Sequence, residues 1–187
     1  MRLQKRNSIE YEGWIAEKLE FEDYSEIGGF DCGDDDLNEF FQRDALEHKK
    51  QLLAETYSLK KATNGEESPS VAFISFHNDA IQLTEEAISK ILPQKKRYRY
   101  LPAVRIGRLG VDKRLQGNDI GTHFVNMAKK FFLEDNRTGC RFMTVDAYNN
   151  NRVIKFYEKN GFQFLSNKDA KKKTRIMYFD LKRLEIP

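Results

Sequence analysis

The chain has 187 residues, 33% of them charged and 40% hydrophobic, with a net charge of +3. That composition, with 14 Phe and 8 Tyr as core material, excludes a globally disordered chain and fits a globular protein of one domain. No apolar run approaches the ~20 residues that span a bilayer, and no apolar signal core follows the basic start Met1-Arg2-Leu3-Gln4-Lys5-Arg6, so a cytoplasmic protein outside any membrane is expected.

Residues 1–14 read as a polar N-terminal extension and residues 15–187 as a single domain. A strand is predicted over Ile15–Phe21. Leu37, Phe40, Phe41, Ala45 and Leu46 then recur on one helical face. The acidic Asp34-Asp35-Asp36 lies where a helix start favours negative charge; a metal-binding cluster is the alternative reading of that triplet. A second strand fits Thr56–Lys60, a loop Asn64–Pro69, and an antiparallel partner Val71–His77. Residues 80–92 read as an amphipathic helix that stops before Pro93. Ala103–Val111 is predicted as a strand. Ile120–Leu133 is predicted as a helix with Ile120, Phe124, Met127, Ala128 and Phe131 on one face. Arg141–Ala147 has the β character of a central strand. A short helix over Asn151–Asn160 meets Gly161, a natural C-terminal cap. Phe162–Phe164 and Thr174–Leu181 read as closing strands. This order is a mixed α/β fold with a partly antiparallel sheet.

Cys32 and Cys140 lie far apart, and His48, His77 and His123 have no partner at ligand spacing. No metal site is expected, and the thiols read as free. Charge is unevenly spread: residues 1–50 sum to −7 and the remainder to +10. Two basic clusters carry the excess. One is Lys95-Lys96-Arg97-Tyr98-Arg99 with Arg105, Arg108, Lys113 and Arg114. The other runs from Lys168 to Arg175 around Lys171-Lys172-Lys173. Such runs commonly form solvated faces; the alternative is a docking surface for a polyanion, a nucleotide cofactor or RNA. Tyr98 and Tyr100 interleave with the first cluster, as stacking residues would.

The stretch Arg105–Phe162 carries the chemistry. A strand ending Leu109-Gly110-Val111 leads into the turn Gln116-Gly117-Asn118-Asp119-Ile120-Gly121-Thr122, which opens a helix. A helix start presents unpaired N–H groups and partial positive charge, so a phosphate or diphosphate can sit there. No Gly-Lys-Ser/Thr follows and the three-glycine dinucleotide spacing is absent, so this is neither of those loops. A strand ending Val145-Asp146-Ala147 then precedes Asn151-Arg152-Val153-Ile154-Lys155-Phe156-Tyr157-Glu158-Lys159-Asn160-Gly161-Phe162.

The Gly turn after a Leu-x-Val strand, with an Asn-x-x-x-x-Phe-Tyr-x-x-x-Gly-Phe helix some thirty residues on, resembles the GNAT superfamily of N-acetyltransferases. The resemblance is sharpest over residues 105–164. A narrower one is to the branch of GNAT toxins that acetylate aminoacyl-tRNA. It is carried by Phe30-Asp31-Cys32-Gly33, Leu37-Asn38-Glu39-Phe40-Phe41, Thr56-Tyr57 and the run Leu101–Asp112.

The resemblance implies a GNAT-like mixed sheet with helices on both faces and a splayed central pair of parallel strands, here about 105–111 and 141–147. It implies transfer of an acetyl group from acetyl-CoA to a primary amine by direct attack, with no metal. The backbone at Leu109, Gly110 and Val111 would bind the pantetheine arm and polarise the thioester carbonyl. Gln116, Gly117, Asn118, Asp119, Ile120, Gly121 and Thr122 would hold the diphosphate. Asn151 would sit beside the pantetheine or the departing sulfur. Tyr157 would be the general acid to the CoA thiolate; a phenol stays protonated at neutral pH and can donate. Packing beside Phe156 is the alternative role of Tyr157. The branch resemblance adds a tRNA, an antitoxin protein and a second copy of the chain as candidate partners.

Asp119 departs from the usual glycine. Its carboxylate either points outward as a cap or weakens cofactor binding by repulsion, and a non-catalytic acyl-CoA-binding module is the alternative this residue supports. No general base has motif support among Glu85, Glu86 and His123. An aminoacyl α-amine with a pKa near ~8 needs one less than a lysine near ~10.4, which favours the α-amine.

Overall fold

The computed structural model describes residues 8–11, 13–20, 27, 29–62, 68–91, 98–134 and 138–184. Lys95, Lys96 and Arg97 of the first basic cluster lie outside these residues, as do Phe21 and most of the expected 64–69 loop. The chain forms two compact units, residues 1–77 with 107–131, and residues 78–106 with 132–187. The strands β4 (Ala72–Ile81) and β5 (Leu101–Val111) run through both.

In the first unit, β1 (Ser8–Tyr11), β2 (Trp14–Lys18), β3 (Glu55–Lys61) and the start of β4 pair antiparallel in chain order, and β5 follows β4. The polar N-terminal segment thus supplies an edge strand where a peripheral extension was expected. Its Ser8–Tyr11 register on β2 adds a hairpin that hydropathy alone hides. Between β2 and β3 lies a helical stretch: α1 (Asp35–Glu39), a π-helical turn (Phe40–Asp44) and α2 (Ala45–Lys50). Asp34 caps α1, its carboxylate accepting the Leu37 N–H at 3.1 Å, and Asp35 and Asp36 fill the first turn. The acidic triplet therefore starts a helix, and among the described residues no group of His, Cys, Asp and Glu is arranged to hold a metal.

The π turn has a packing reason. Phe40 and Phe41 are adjacent, yet both are buried. The wider turn brings both rings to one side, where they meet Phe73 of β4. Phe41 stacks on Phe73 at 4.4 Å and 6°, Phe40 lies 6.1 Å away, and Phe30 meets Phe73 edge-on at 5.6 Å. Such pairs contribute about 0.5–1.5 kcal/mol each beyond area burial. Helix α4 (Ile120–Glu134) buries Ile120, Phe124, Met127 and Ala128, the predicted stripe, and Phe131 contacts Tyr57 of β3 at 5.8 Å.

In the second unit the strand order is β4-β5-β6-β8-β7, with β6 (Phe142–Tyr148), β7 (Gln163–Phe164) and β8 (Thr174–Asp180). β5 and β6 are parallel, from Ala103↔Phe142 to Ile106↔Val145. β6 and β8 are antiparallel, from Phe142↔Asp180 to Tyr148↔Thr174. The sheet is mixed, as expected. The parallel ladder ends at Ile106 and Val145, although β5 runs on to Val111 and β6 to Tyr148. Beyond that point β6 stays paired with β8, and Gly107 of β5 lies against His77 of β4. Helix α3 (Glu85–Ile91) is shorter than expected because Asn78–Ile81 continue β4. Those residues alternate in burial as a strand does, and Thr84 starts the helix by accepting the Ala87 N–H at 3.2 Å.

Candidate active site

The end of β5 owes its glycines to close packing. A Cβ on Gly110 would meet Phe73 Cε1 at 2.5 Å, and one on Gly107 would meet His77 Nδ1 at 3.0 Å. Leu109 and Val111, the other two residues expected along the pantetheine, are half-buried on the same strand.

After β5 the chain commits its next four amides internally. Asp112 N–H donates to the Val71 carbonyl (2.9 Å), Lys113 N–H to the Asp31 carbonyl (2.8 Å) and Leu115 N–H to the Asp112 carbonyl (2.9 Å). Arg114 N–H donates to the Asp112 carboxylate at 3.0 Å. The amides directly after Val111 are therefore structural, and any anion must use those further on. Gln116 anchors the turn rather than offering its side chain: its Nε2 donates to the carbonyls of Cys32 (2.8 Å) and Val111 (2.9 Å). Asn118 Nδ2 donates to the Leu115 carbonyl at 3.1 Å.

Gly117 has φ +84° and Asp119 φ +56°. Two left-handed residues within three positions curl the backbone into the start of α4. The first bond of α4 runs from His123 N–H to the Asp119 carbonyl at 2.9 Å. The amides from Gly117 to Gly121 precede it, where helix geometry provides no intrahelical acceptor. Asp119 is in the conformation that glycine adopts most readily, and it is exposed. This donor set, a left-handed turn opening a 15-residue helix, fits a diphosphate.

The cations beside the turn are already paired. Arg114 grips Asp112 through Nε (2.8 Å) and Nη2 (2.7 Å). The Arg114 hydrogen bond holds the buried Asp112 carboxyl below its usual range. Lys113 pairs with Asp31 at 2.5 Å. That contact, with N–H groups from Gly33 and Asn38, lowers the Asp31 carboxyl to about 2. Attraction for an anion here comes from backbone dipoles more than from these two side chains.

Helix α5 (Asn151–Lys159) of the second unit carries the other two candidate residues, Asn151 and Tyr157. Asn150 caps it, accepting the Val153 N–H at 3.0 Å, and Gly161 ends it at φ +78°, as its position predicted. Asn151 is exposed at the helix start. Tyr157 is buried, with Phe156 edge-on at 5.0 Å and Phe162 at 5.3 Å. Among the described residues no group hydrogen-bonds its hydroxyl. Burial pushes the phenol pKa far up, so it holds its proton.

Sequence reading missed a polar network on β4, β5 and β6. Arg105 bridges two carboxylates, Asp79 (Nε to Oδ2, 3.0 Å) and Asp146 (Nη1 to Oδ2, 2.6 Å). Thr144 Oγ1 donates to Asp79 at 2.6 Å. Burial pushes the Asp79 carboxyl up, but the Thr144, Ala80 and Arg105 contacts outweigh it and hold it low. The available signal was Asp79, Arg105 and Asp146, charged residues each inside a largely apolar strand.

Residues 77–164 match the family model described as the acetyltransferase (GNAT) domain. These residues are similar to a GNAT acetyltransferase domain. The matched residues include every candidate site residue from Leu109 to Tyr157. Solved structures share the chain's fold across nearly its whole length. A tyrosine-to-phenylalanine mutant of KacT matches with 20% identity and a TM-score of 0.74, over 92% of this chain and 97% of that one. AtaT complexed with acetyl-methionyl-tRNAfMet matches with 23% identity and a TM-score of 0.72, over 91% and 96%. A tyrosine-to-phenylalanine mutant of the AtaT toxin, bound to the C-terminus of the antitoxin AtaR and acetyl-CoA, matches with 20% identity and a TM-score of 0.68, over 92% and 96%.

Proposed function

We propose that this chain transfers an acetyl group from acetyl-CoA to the α-amine of an aminoacyl-tRNA. The observation that carries the cofactor half is the left-handed turn at Gly117 and Asp119 opening α4. Its amides and helix dipole hold the diphosphate. The backbone of Leu109, Gly110 and Val111 receives the pantetheine arm, and Asn151 lies alongside it. Bound acetyl-CoA supplies the activated acyl carbon and a thiolate leaving group. Tyr157 holds a proton at Oη and would give it to the sulfur as the carbon–sulfur bond breaks; the proton released from the attacking nitrogen, passed on through solvent, would restore the phenol, and the thiol formed has a pKa near ~8.5.

The acceptor half is supported by chemistry and by likeness. An α-amine with a pKa near ~8 is partly neutral at physiological pH and attacks without a dedicated base. One structural relative, AtaT, is complexed with acetyl-methionyl-tRNAfMet, and another structure is of the AtaT toxin bound to the C-terminus of the antitoxin AtaR. An antitoxin protein is accordingly a proposed partner of this chain.

The test is acetyl transfer from labelled acetyl-CoA to an aminoacyl-tRNA, set against a lysine-containing peptide and uncharged tRNA. Label on the aminoacyl-tRNA alone is expected. Label on the peptide alone would move the acceptor to a side-chain amine. Acetyl-CoA binding without transfer to either would leave the binding-module reading, which the Asp119 carboxylate favours.

A further inference from the structure

We propose that Tyr148 and Lys171-Lys172-Lys173 form a docking surface for a single-stranded RNA segment, the acceptor end of the tRNA substrate. The inference rests on the aminoacyl-tRNA reading and names the surface that would bring that substrate to the domain.

Tyr148 ends β6 with its side chain 43% exposed, directly after the buried Ala147. It faces Thr174 across the β6–β8 ladder, so the three lysines immediately precede its partner in the chain. The lysine loop is held in place. Asn149 N–H donates to the Lys173 carbonyl at 2.9 Å. Asn149 Nδ2 donates to the carbonyls of Ala170 and Lys172, both at 3.0 Å. Lys172 N–H donates to the Asp169 carbonyl at 2.9 Å.

The loop's one acidic residue is turned away from solvent. Asp169 is buried, pairs with Arg175 at 3.3 Å and accepts the Ile176 N–H at 2.7 Å. Lys168, Lys171, Lys172 and Lys173 are all exposed, and among the described residues none of them forms an ion pair. A run that serves only as a solvated face does not require three hydrogen bonds from one asparagine to fix its backbone. Fixed, unneutralised cations beside an exposed aromatic ring match single-stranded nucleic acid: phosphates meet the lysines and a base stacks on the ring. An acidic peptide would satisfy the cations and leave the ring unused, which favours RNA.

The test uses the full chain without acetyl-CoA and a short labelled single-stranded RNA, with affinity read by fluorescence anisotropy over a salt series. Tyr148→Ala is expected to weaken binding about tenfold or more, with Tyr148→Phe retaining it, because stacking needs the ring and not the hydroxyl. Replacing Lys171, Lys172 and Lys173 with Gln is expected to lower the slope of log K against log salt by about 2, at about 0.7 per lost phosphate contact. Should that triple variant fold poorly, Lys172→Glu reads the same loss through one exposed side chain. Acetyl-CoA affinity should stay at the parent value throughout.

Absence of RNA binding by the parent overturns the proposal. So does parental affinity and salt slope in both the alanine and the glutamine variants, or equal competition by polyglutamate. RNA binding is read without turnover, so a chain that binds RNA here but leaves aminoacyl-tRNA unacetylated keeps the surface and loses the proposed reaction. A chain that acetylates aminoacyl-tRNA with these variants at parental RNA affinity keeps the reaction and loses the surface.

Discussion

Phe73 occupies the space a side chain at Gly110 would need. A Cβ built there stands 2.5 Å from the ring's Cε1. The ring cannot retreat freely, because it stacks on Phe41 at 4.4 Å and contacts Phe30 and Phe40. Gly110→Ala is therefore an overpacking change, expected to cost about 1–3 kcal/mol and to lower the melting temperature. Phe73→Leu made alone also destabilises, but in the Gly110→Ala background it should cost less, with a coupling of at least about 0.5 kcal/mol in a double-mutant cycle. Simple additivity of the two changes would show that the ring does not set the requirement for glycine.

Asp119 at φ +56° tests the turn electrostatically. Asp119→Gly relieves the left-handed backbone but adds freedom to the unfolded chain, effects of about 0.5–1 kcal/mol each that oppose one another. Stability should stay within about 0.5 kcal/mol of the parent. The change also removes a negative charge beside the proposed diphosphate. One such repulsion near water is worth about 1 kcal/mol, so acetyl-CoA should bind several-fold tighter by titration calorimetry. An unchanged affinity would mean that the carboxylate faces away from the ligand.

Tyr157→Phe separates chemistry from binding. The ring packs between Phe156 and Phe162, and phenylalanine keeps both contacts. A lost general acid should reduce kcat by about 10²–10⁴ with the KM for acetyl-CoA within about twofold. The buried phenol's raised pKa carries a second signature. The folded state keeps this proton where an unfolded tyrosine, near ~10, loses it. Stability is therefore present below about pH 10 and falls as pH rises beyond it, and Tyr157→Phe should flatten that alkaline limb. Unchanged kcat would return Tyr157 to a packing role.

The parts of the molecule that were legible in sequence are those where one side-chain pattern decides the outcome. The stripe Ile120, Phe124, Met127 and Ala128 gives α4, and Asn150 and Gly161 bracket α5 by capping chemistry alone. Residues 78–81 were hidden because a short, half-polar segment alternates too briefly to separate strand from helix. The π turn at Phe40–Asp44 was hidden because its cause is Phe73, more than thirty residues away in sequence. The candidate site divides in the same way between local and distant causes. The turn and Tyr157 follow from local motifs, whereas the internal use of the Asp112–Leu115 amides depends on Val71 and Asp31, which no local window contains. The bridge from Arg105 to Asp79 and Asp146 likewise joins three separate strands.

Acid stability should report the pairs that flank the turn. The Asp31 carboxyl is lowered to about 2 by Lys113, Gly33 and Asn38, and Asp112 is lowered by Arg114. Both groups have folded pKa values below the unfolded value near ~3.9. Their contribution is therefore complete above about pH 5 and is lost as pH falls through 4 toward 2, because the unfolded chain takes up protons first. Melting temperature measured across that window should fall steeply for the parent and less steeply for Asp31→Asn. The pairs also differ in their response to salt. Lys113 and Asp31 are both substantially exposed, whereas the Asp112 side chain is 1% exposed. Raising the salt concentration should weaken the first pair and leave the second nearly intact. If Asp31→Asn leaves the acid limb unchanged at low salt, the loss of stability belongs to Asp112 and Arg114, and Asp112→Asn should then remove it.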